Sequence, residues 1–249
     1  MLGALRARDC WNRLCDLVFA PQCAYCEAAL ATSAGPLLCE TCRSELLPPP
    51  EARCQRCGQS APEGFGPQSS CGRCRGVKLR FDTTLPLGPY AGNLRQAVLR
   101  LKSPGQEPLA LGLADLYWQQ HAETLAALAI DVVAPVPMHW RRRLVRGVNC
   151  PDLLAEGLGR RLRLPVTRRL LVRRRNTLPQ AELLPAGRFH NLRGAFRVNT
   201  SYALCAARVL LVDDILTTGA TCSAAAAVLR QSGADAVHVA VLARAEITH

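Results

Sequence analysis

Arg208 to Ala225, RVLLVDDILTTGATCSAA, decides the fold: an apolar run ends in two adjacent acids and turns into a helix of small residues. Val209, Leu210, Leu211 and Val212 form a short continuous apolar run, the pattern of a strand buried on both faces of a parallel sheet. Asp213 and Asp214 then fall at its carboxyl end, the edge where open α/β sheets bind ligands. Adjacent carboxylates there can accept hydrogen bonds from two neighbouring sugar hydroxyls. Thr217, Thr218, Gly219, Ala220 and Thr221 open a helix expected over Ala220–Gln231, whose first backbone N–H groups suit a phosphate. Gly219 lets the backbone approach the anion closely, and the threonine hydroxyls supply further donors. The stretch reads as a site for a phosphorylated sugar. The plainer alternative is a buried strand, a polar turn and a capped helix, with Asp214 or Thr218 satisfying backbone donors.

One apolar strand, Ala236 to Ala243, follows, too little for a receiver domain whose paired acids come early. Working back, Phe81 to Tyr90 reads as an edge strand or hairpin, and Gly92 to Lys102 as an amphipathic helix through Leu94, Val98 and Leu101, broken by Pro104-Gly105. A longer helix spans about Pro108 to Ala129. Asp131 to Pro137 is another short apolar strand, stopping in the loop Pro135-Val136-Pro137 before His139, Arg141, Arg142, Arg143 and Arg146. A rigid loop facing guanidiniums suits a pyrophosphate group, and a turn beside a basic surface is the alternative. The helix Asn149 to Arg163 packs through Leu153, Leu154, Leu158 and Leu162, and Leu170 to Asn191, weakly periodic, reads as a mobile loop covering a substrate. Phe196-Arg197-Val198 leads back to the central strand. Strands alternating with helices argue for an α/β fold, a mainly parallel sheet with helices on both faces.

Eight of the thirteen cysteines explain themselves by spacing. Cys23 and Cys26 are followed after twelve residues by Cys39 and Cys42, and Cys54 and Cys57 after thirteen by Cys71 and Cys74. Two CxxC knuckles joined by a loop give the four-thiolate environment of structural zinc, which this spacing fits better than an iron–sulfur cluster. Pairing in sequence order is expected, with a cross-braced arrangement as the alternative. The region is too poor in large apolar residues for a core of its own, so metal binding would supply its folding free energy. Four protein ligands leave no open position for catalysis. Pro48-Pro49-Pro50 is a stiff spacer between the units. Cys10, Cys15, Cys150, Cys205 and Cys222 lie outside the pattern and read as small core or surface residues.

At 249 residues the chain holds one substantial core and a smaller module. Its formal charge is +12, and residues 141–175 hold twelve arginines against Asp152 and Glu156 alone. Such a field favours polyanions, either nucleic acid or phosphorylated substrates, while a solvated arginine-rich surface is the alternative. Aromatic residues are too scarce for a visible stacking platform for single strands. No apolar segment reaches the length of a membrane span. Charges at Arg6, Arg8, Asp9, Arg13 and Asp16 exclude a signal-peptide core, and Trp11, Leu14, Cys15 and Val18 share one face of a short amphipathic helix. A cytoplasmic protein with reduced thiols is expected.

The strand, acids and TTGAT loop resemble the phosphoribosyl pyrophosphate (PRPP) motif of type I phosphoribosyltransferases. The whole chain, with its tandem CxxC units, the Lys102 to Gly105 break, PVPMH from Pro135, RGVN from Arg146, RRRNT from Arg173 with Gln180, and VDDILTTGAT from Val212, resembles the ComF family of competence-associated, amidophosphoribosyltransferase-like proteins. The resemblance implies a type I phosphoribosyltransferase-like domain over residues 79–249, behind a double zinc ribbon over 21–78 and a helix over 1–20. It implies that Asp213 and Asp214 hold the ribose 2- and 3-hydroxyls, residues 217–221 the 5-phosphate, and Pro135 to Pro137 the pyrophosphate. Arg146, Asn149, Arg175, Thr177 and Gln180 match remaining polar motif residues, expected to contact pyrophosphate or acceptor. Where the family usually reads RGFNQ, this chain ends in Cys150, losing an amide donor and acceptor. Pro104 stands where a glycine-flanked loop is commoner.

Two functions follow from the resemblance. One is a transferase, or sensor, of the phosphoribosyl group, displacing pyrophosphate from PRPP with Mg²⁺ held mainly by substrate oxygens. No dedicated nucleophile is needed for it. The other is an adaptor without catalysis that binds single-stranded DNA or the DNA-uptake machinery through its basic face and keeps the PRPP site as a sensor.

Overall fold

The computed structural model describes residues 20–33, 35–49, 51–61, 71–138, 149–175 and 185–246. Apolar runs pair side by side into one parallel sheet. Strands β1 (Thr83–Pro89), β2 (Val132–Pro135), β5 (Arg208–Leu216) and β6 (Ala236–Arg244) lie in the order β1-β6-β5-β2. β5 and β6 are central: β6 is buried throughout and β5 over Val209–Asp213, as the apolar run Val209–Val212 requires. The short strands β3 (Leu171–Arg173) and β4 (Phe196–Val198) pair antiparallel as a separate ribbon.

Alternate residues of the central strands feed two cores. Leu210, Val212, Ala240 and Leu242 face helices α3 (Gly92–Arg100), α4 (Glu107–Ala127) and α5 (Cys150–Leu162). Val209, Leu211, Val237, Val239 and Val241 face α7 (Ala220–Gln231), the β3–β4 ribbon, and Leu192 beyond α6 (Pro185–Asn191). α4 carries Pro108 in its first turn, where a missing N–H costs nothing, and is buried on more than one side. Against α5 the approach is so close that a Cβ on Gly157 would lie 2.4 Å from that of Ala114. α5 places Asp152 in its first turn and Arg160 and Arg161 in its last, each complementing the helix dipole.

The cysteine units straddle the sheet. The first, with α1 (Glu40–Leu46), adds Cys23, Leu38, Cys42 and Leu46 to the α3–α5 core, and Leu38 sits over Gly112 of α4. The second, with α2 (Gly72–Arg75), adds Cys54, Cys57 and Cys74 to the opposite core. Between them the chain runs along the edge of β1: Pro48 packs on Gly88, the Thr84 N–H donates to the Gln55 carbonyl at 2.7 Å, and the Thr84 hydroxyl to Arg56 at 2.9 Å. This strap covers an edge that would otherwise expose unpaired donors.

Two expectations change. β5 does not end at the acids but runs on to Leu216, with Asp213 opposite Val241 and Leu216 opposite Arg244, because β6 extends far enough to pair with it. Leu170 to Asn191 is not one covering loop. β3 and α6 stand at its two ends, since Leu170, Leu171 and Leu192 are buried in the second core; residues 176–184 lie outside the described residues. The expected helix over residues 1–20 lies outside them too, except Ala20. Among the described residues no helix is long and apolar enough to cross a membrane.

Candidate functional site

Neighbouring parallel strands β2 and β5 send their chains to opposite faces of the sheet, to α5 and to α7 respectively. Such a reversal opens a crevice at the carboxyl ends of the two strands, where α/β sheets bind ligands. Asp213, Asp214, the turn Thr217–Gly219 and the loop Pro135–Pro137 all lie there.

Asp213 is 9% exposed. Its Oδ1 accepts the Asp214 N–H at 2.9 Å, and its Oδ2 accepts the thiol of Cys222, in the first turn of α7, at 3.6 Å. Burial, reinforced by the neighbouring charge of Asp214, holds its carboxyl well above the usual carboxylate range. Asp214, half-buried, accepts the Ile215 N–H at 2.8 Å. Strand alternation turns it to the other face, toward α5. There burial, with Asp214 and Asp213 nearby, drives the Cys150 thiol well above its ordinary value, while the charge of Lys102 opposes the shift. The two acids therefore bracket β5 rather than stand as a parallel pair.

β5 gives way to α7 through Gly219, which takes φ 80 as the N-cap, a conformation that favours glycine. The Ala220 N–H reaches the Thr218 hydroxyl at 3.4 Å, and the Ser223 N–H closes the first helical bond on Gly219 at 2.8 Å. Thr217, Thr218 and Thr221 are half-buried around this turn, and Gly219 and Ala220 are buried. The loop after β2 is held at both ends: the Val136 N–H donates to the Val212 carbonyl at 2.8 Å, and Asn149 Nδ2 donates to the Val136 carbonyl at 3.3 Å and to Asp152 at 2.6 Å. Arg146, Thr177, Gln180, His139 and Arg141 to Arg143 lie outside the described residues. Arg175 is exposed and donates to the Arg193 carbonyl at 2.7 Å, on the β3–β4 side.

Sequence reasoning missed Arg244. Its side chain is buried, donating through Nε to the Cys57 carbonyl at 2.7 Å and through one terminal nitrogen to the carbonyls of Leu216 at 2.8 Å, Ala245 at 2.7 Å and Thr217. The signal was present: a guanidinium closing a nine-residue apolar strand needs buried acceptors.

The eight cysteines gather as two sets in sequence order, Cys23, Cys26, Cys39 and Cys42, then Cys54, Cys57, Cys71 and Cys74, the ligand atoms of each set lying within 4.8 Å of one another. Tetrahedral zinc with Zn–S near 2.3 Å requires sulfurs about 3.8 Å apart. Cys26–Cys39 at 3.6 Å, Cys54–Cys74 at 3.8 Å, Cys57–Cys71 at 3.4 Å and Cys71–Cys74 at 3.6 Å fit that tetrahedron. The knuckles repeat each other. The N–H of Cys23 bonds Ala28 and that of Cys54 bonds Gln59, while Glu27 and Gly58 donate back to Cys23 and Cys54 with φ of 65 and 71. Burial raises the thiols of Cys23 and Cys54, but surrounding backbone N–H groups outweigh it, lowering them to about 6 and about 7. Both sets suit structural zinc.

Comparison with known proteins is consistent with this arrangement. The double zinc ribbon domain matches residues 14–75. Competence protein F of Haemophilus influenzae is 29% identical over 228 residues, covering 90% of this chain and 97% of that one. DNA utilization protein YhgH of Escherichia coli K12 is 30% identical over 210 residues, covering 83% and 90%, and its Salmonella typhi counterpart 31% over 194 residues, covering 77% and 83%. Glutamine phosphoribosylpyrophosphate amidotransferase of B. subtilis superposes with a TM-score of 0.38 at 19% identity, covering 58% of this chain and 30% of that one, too loosely to support an inference.

Proposed function

The chain belongs to the ComF family of competence and DNA-utilization proteins, and we propose that within DNA uptake or use it binds PRPP with Mg²⁺ and transfers or senses the phosphoribosyl group. One observation carries this reading: Asp214, the Gly219 turn at the start of α7 and the Pro135–Pro137 loop converge on the crevice between β2 and β5. Asp214 accepts a ribose hydroxyl, and Asp213, buried on the α7 side, positions Asp214 by accepting its backbone N–H. Residues 217–221 hold the 5-phosphate with hydroxyls and helix-start amides. Pro135, Val136 and Pro137 line the pyrophosphate, with Arg146 as its counter-charge.

In a transfer, the bond between the anomeric carbon and pyrophosphate breaks as the acceptor's bond to that carbon forms. Pyrophosphate leaves with the electron pair, and the acceptor's proton passes to solvent or base. Mg²⁺, brought in on substrate oxygens, would offset the charge of the leaving group. Positioning and charge stabilisation suffice, which matches a site without a dedicated nucleophile. Calorimetry of the zinc-loaded protein with PRPP and Mg²⁺ tests the reading, with Asp214→Asn as control. Micromolar binding lost in the control supports it, and no binding to the folded protein defeats it.

A second reading, an adaptor without catalysis that binds single-stranded DNA, is favoured by Arg160, Arg163, Arg169 and Arg174, exposed along α5 and the segment after it. It predicts DNA affinity that falls steeply with salt and is unaffected by Asp214→Asn.

A further inference from the structure

The two four-cysteine sites are not equivalent. The first meets the sheet through α3 and α4: the Tyr25 hydroxyl donates to the Asn93 carbonyl at 3.3 Å, Arg100 lies over the Tyr25 ring, and Leu38 covers Gly112. The second meets the turn between β5 and α7 from two sides. From one side, Arg244 joins the carbonyl of the ligand residue Cys57 to the carbonyls of Leu216 and Thr217, and Gln59 fixes the Ala245 carbonyl at 3.0 Å. From the other, Arg56 holds the Leu79 carbonyl at 2.9 Å. Leu79 and Phe81 pack beneath Gly219, and the Arg80 N–H donates to Ser223 of α7 at 3.2 Å.

We infer that Arg244 is a positioning residue through which the second four-cysteine site fixes the phosphate-binding turn Leu216–Thr221, while the first site serves the scaffold alone. The inference rests on the phosphate role proposed for that turn. A guanidinium suits the task because one planar group can donate in several fixed directions at once. At 3% exposure, its acceptors cannot be exchanged for water without cost. Opening the Cys54–Cys57 knuckle releases the Cys57 carbonyl, and Arg244 then loses the anchor that sets its angle beneath Thr217. The anion would meet a turn that must be ordered at the moment of binding, and affinity falls by that ordering cost.

The test uses the full zinc-loaded chain and compares Arg244→Gln and Arg244→Lys, and the matched pair Cys39→Ser and Cys71→Ser, with wild type. Amide hydrogen exchange over residues 216–222 is read alongside zinc content and calorimetry with ribose 5-phosphate and, separately, pyrophosphate. Arg244→Gln should raise exchange in the turn and weaken ribose 5-phosphate at least tenfold, with pyrophosphate affinity unchanged within twofold. Arg244→Lys should recover part of the loss. Cys71→Ser should reproduce the Arg244→Gln pattern and Cys39→Ser should not. Equal effects of the two cysteine variants, or an unaltered turn in Arg244→Gln, overturn the inference. If wild type binds neither PRPP nor ribose 5-phosphate, the function proposed above fails, and the exchange comparison alone decides whether the bridge holds the turn.

Discussion

The thiol of Cys222 donates to the carboxylate of Asp213 across 3.6 Å, joining the first turn of α7 to β5 inside the protein. Burial raises the affinity of both groups for a proton; the charge of Asp213 raises that of the thiol further, whereas the hydrogen bond from the thiol lowers that of the carboxyl. The ligand crevice is thus built over an acid that burial and the charge of Asp214 hold well above the usual carboxylate range.

Asp213→Asn should therefore stabilise the unliganded protein while impairing the site. The sign follows from linkage: with the folded carboxyl titrating above its unfolded value, the folded state binds more protons, so stability declines as pH rises from the ordinary carboxylate range toward neutrality. Thermal unfolding near neutral pH should show a gain of about 2–4 °C, the scale of about 1 kcal/mol for a chain this long. The gain should vanish in acid. PRPP affinity should fall in the same variant. A loss of stability at neutral pH would contradict the buried-acid account.

Asp214→Asn should leave folding within about 0.5 kcal/mol, as half-exposed substitutions commonly do. It should cost PRPP about tenfold or more, the size of one charge-assisted hydrogen bond. Denaturant midpoints and calorimetry on one preparation separate the two effects.

Metal analysis should give two zinc ions per chain. Removal by a strong chelator should expose residues of both cores, because Cys23 and Cys42 belong to one and Cys54, Cys57 and Cys74 to the other. Loss of cooperative thermal unfolding on chelation, recovered by adding zinc, is the expected observation.

The duplicated knuckles carry an asymmetry that mutagenesis can exploit. Glu27 adopts the left-handed φ of 65 that Gly58 adopts freely in the equivalent place. Glu27→Gly should stabilise by about 1 kcal/mol. Gly58→Ala should destabilise by at least that much, since a Cβ there also lies 3.0 Å from Thr84 Cγ2. Unfolding of the zinc-loaded variants checks both signs.

Gly157→Ala should be destabilising although alanine favours helix by about 1 kcal/mol. The added methyl meets the Cβ of Ala114, fixed to helix backbone, so α4 and α5 must part, at about 1–3 kcal/mol. A raised melting temperature would show that the helices can separate freely.

What the sequence disclosed was local. The bounds of α7, the parallel sheet and the grouping of cysteines followed from patterns a few residues long, where burial, turn and metal demands act on neighbours in the chain. Arg244 was hidden because three of its acceptors lie 27, 28 and 187 residues away and all are backbone carbonyls, which leave no trace in residue type. The extension of β5 past Asp214 was hidden for a similar reason: it depends on the length of β6. Leu170 to Asn191 misled because its arginines and prolines obscured Leu170 and Leu171, whose burial is decided by β5 and α7.

The covering strap on β1 also bears on the order in which the molecule is made. Its Gln59 amide is synthesised 186 residues before the Ala245 carbonyl it grips, and Cys57 waits still longer for Arg244. Throughout that interval the cysteine units have no sheet to lie on. Each set of thiols, however, closes within about twenty residues of chain, a span that can assemble as soon as it emerges. The cysteine units are self-sufficient in metal and dependent in packing, so they can keep their shape while the strands that follow are still being translated.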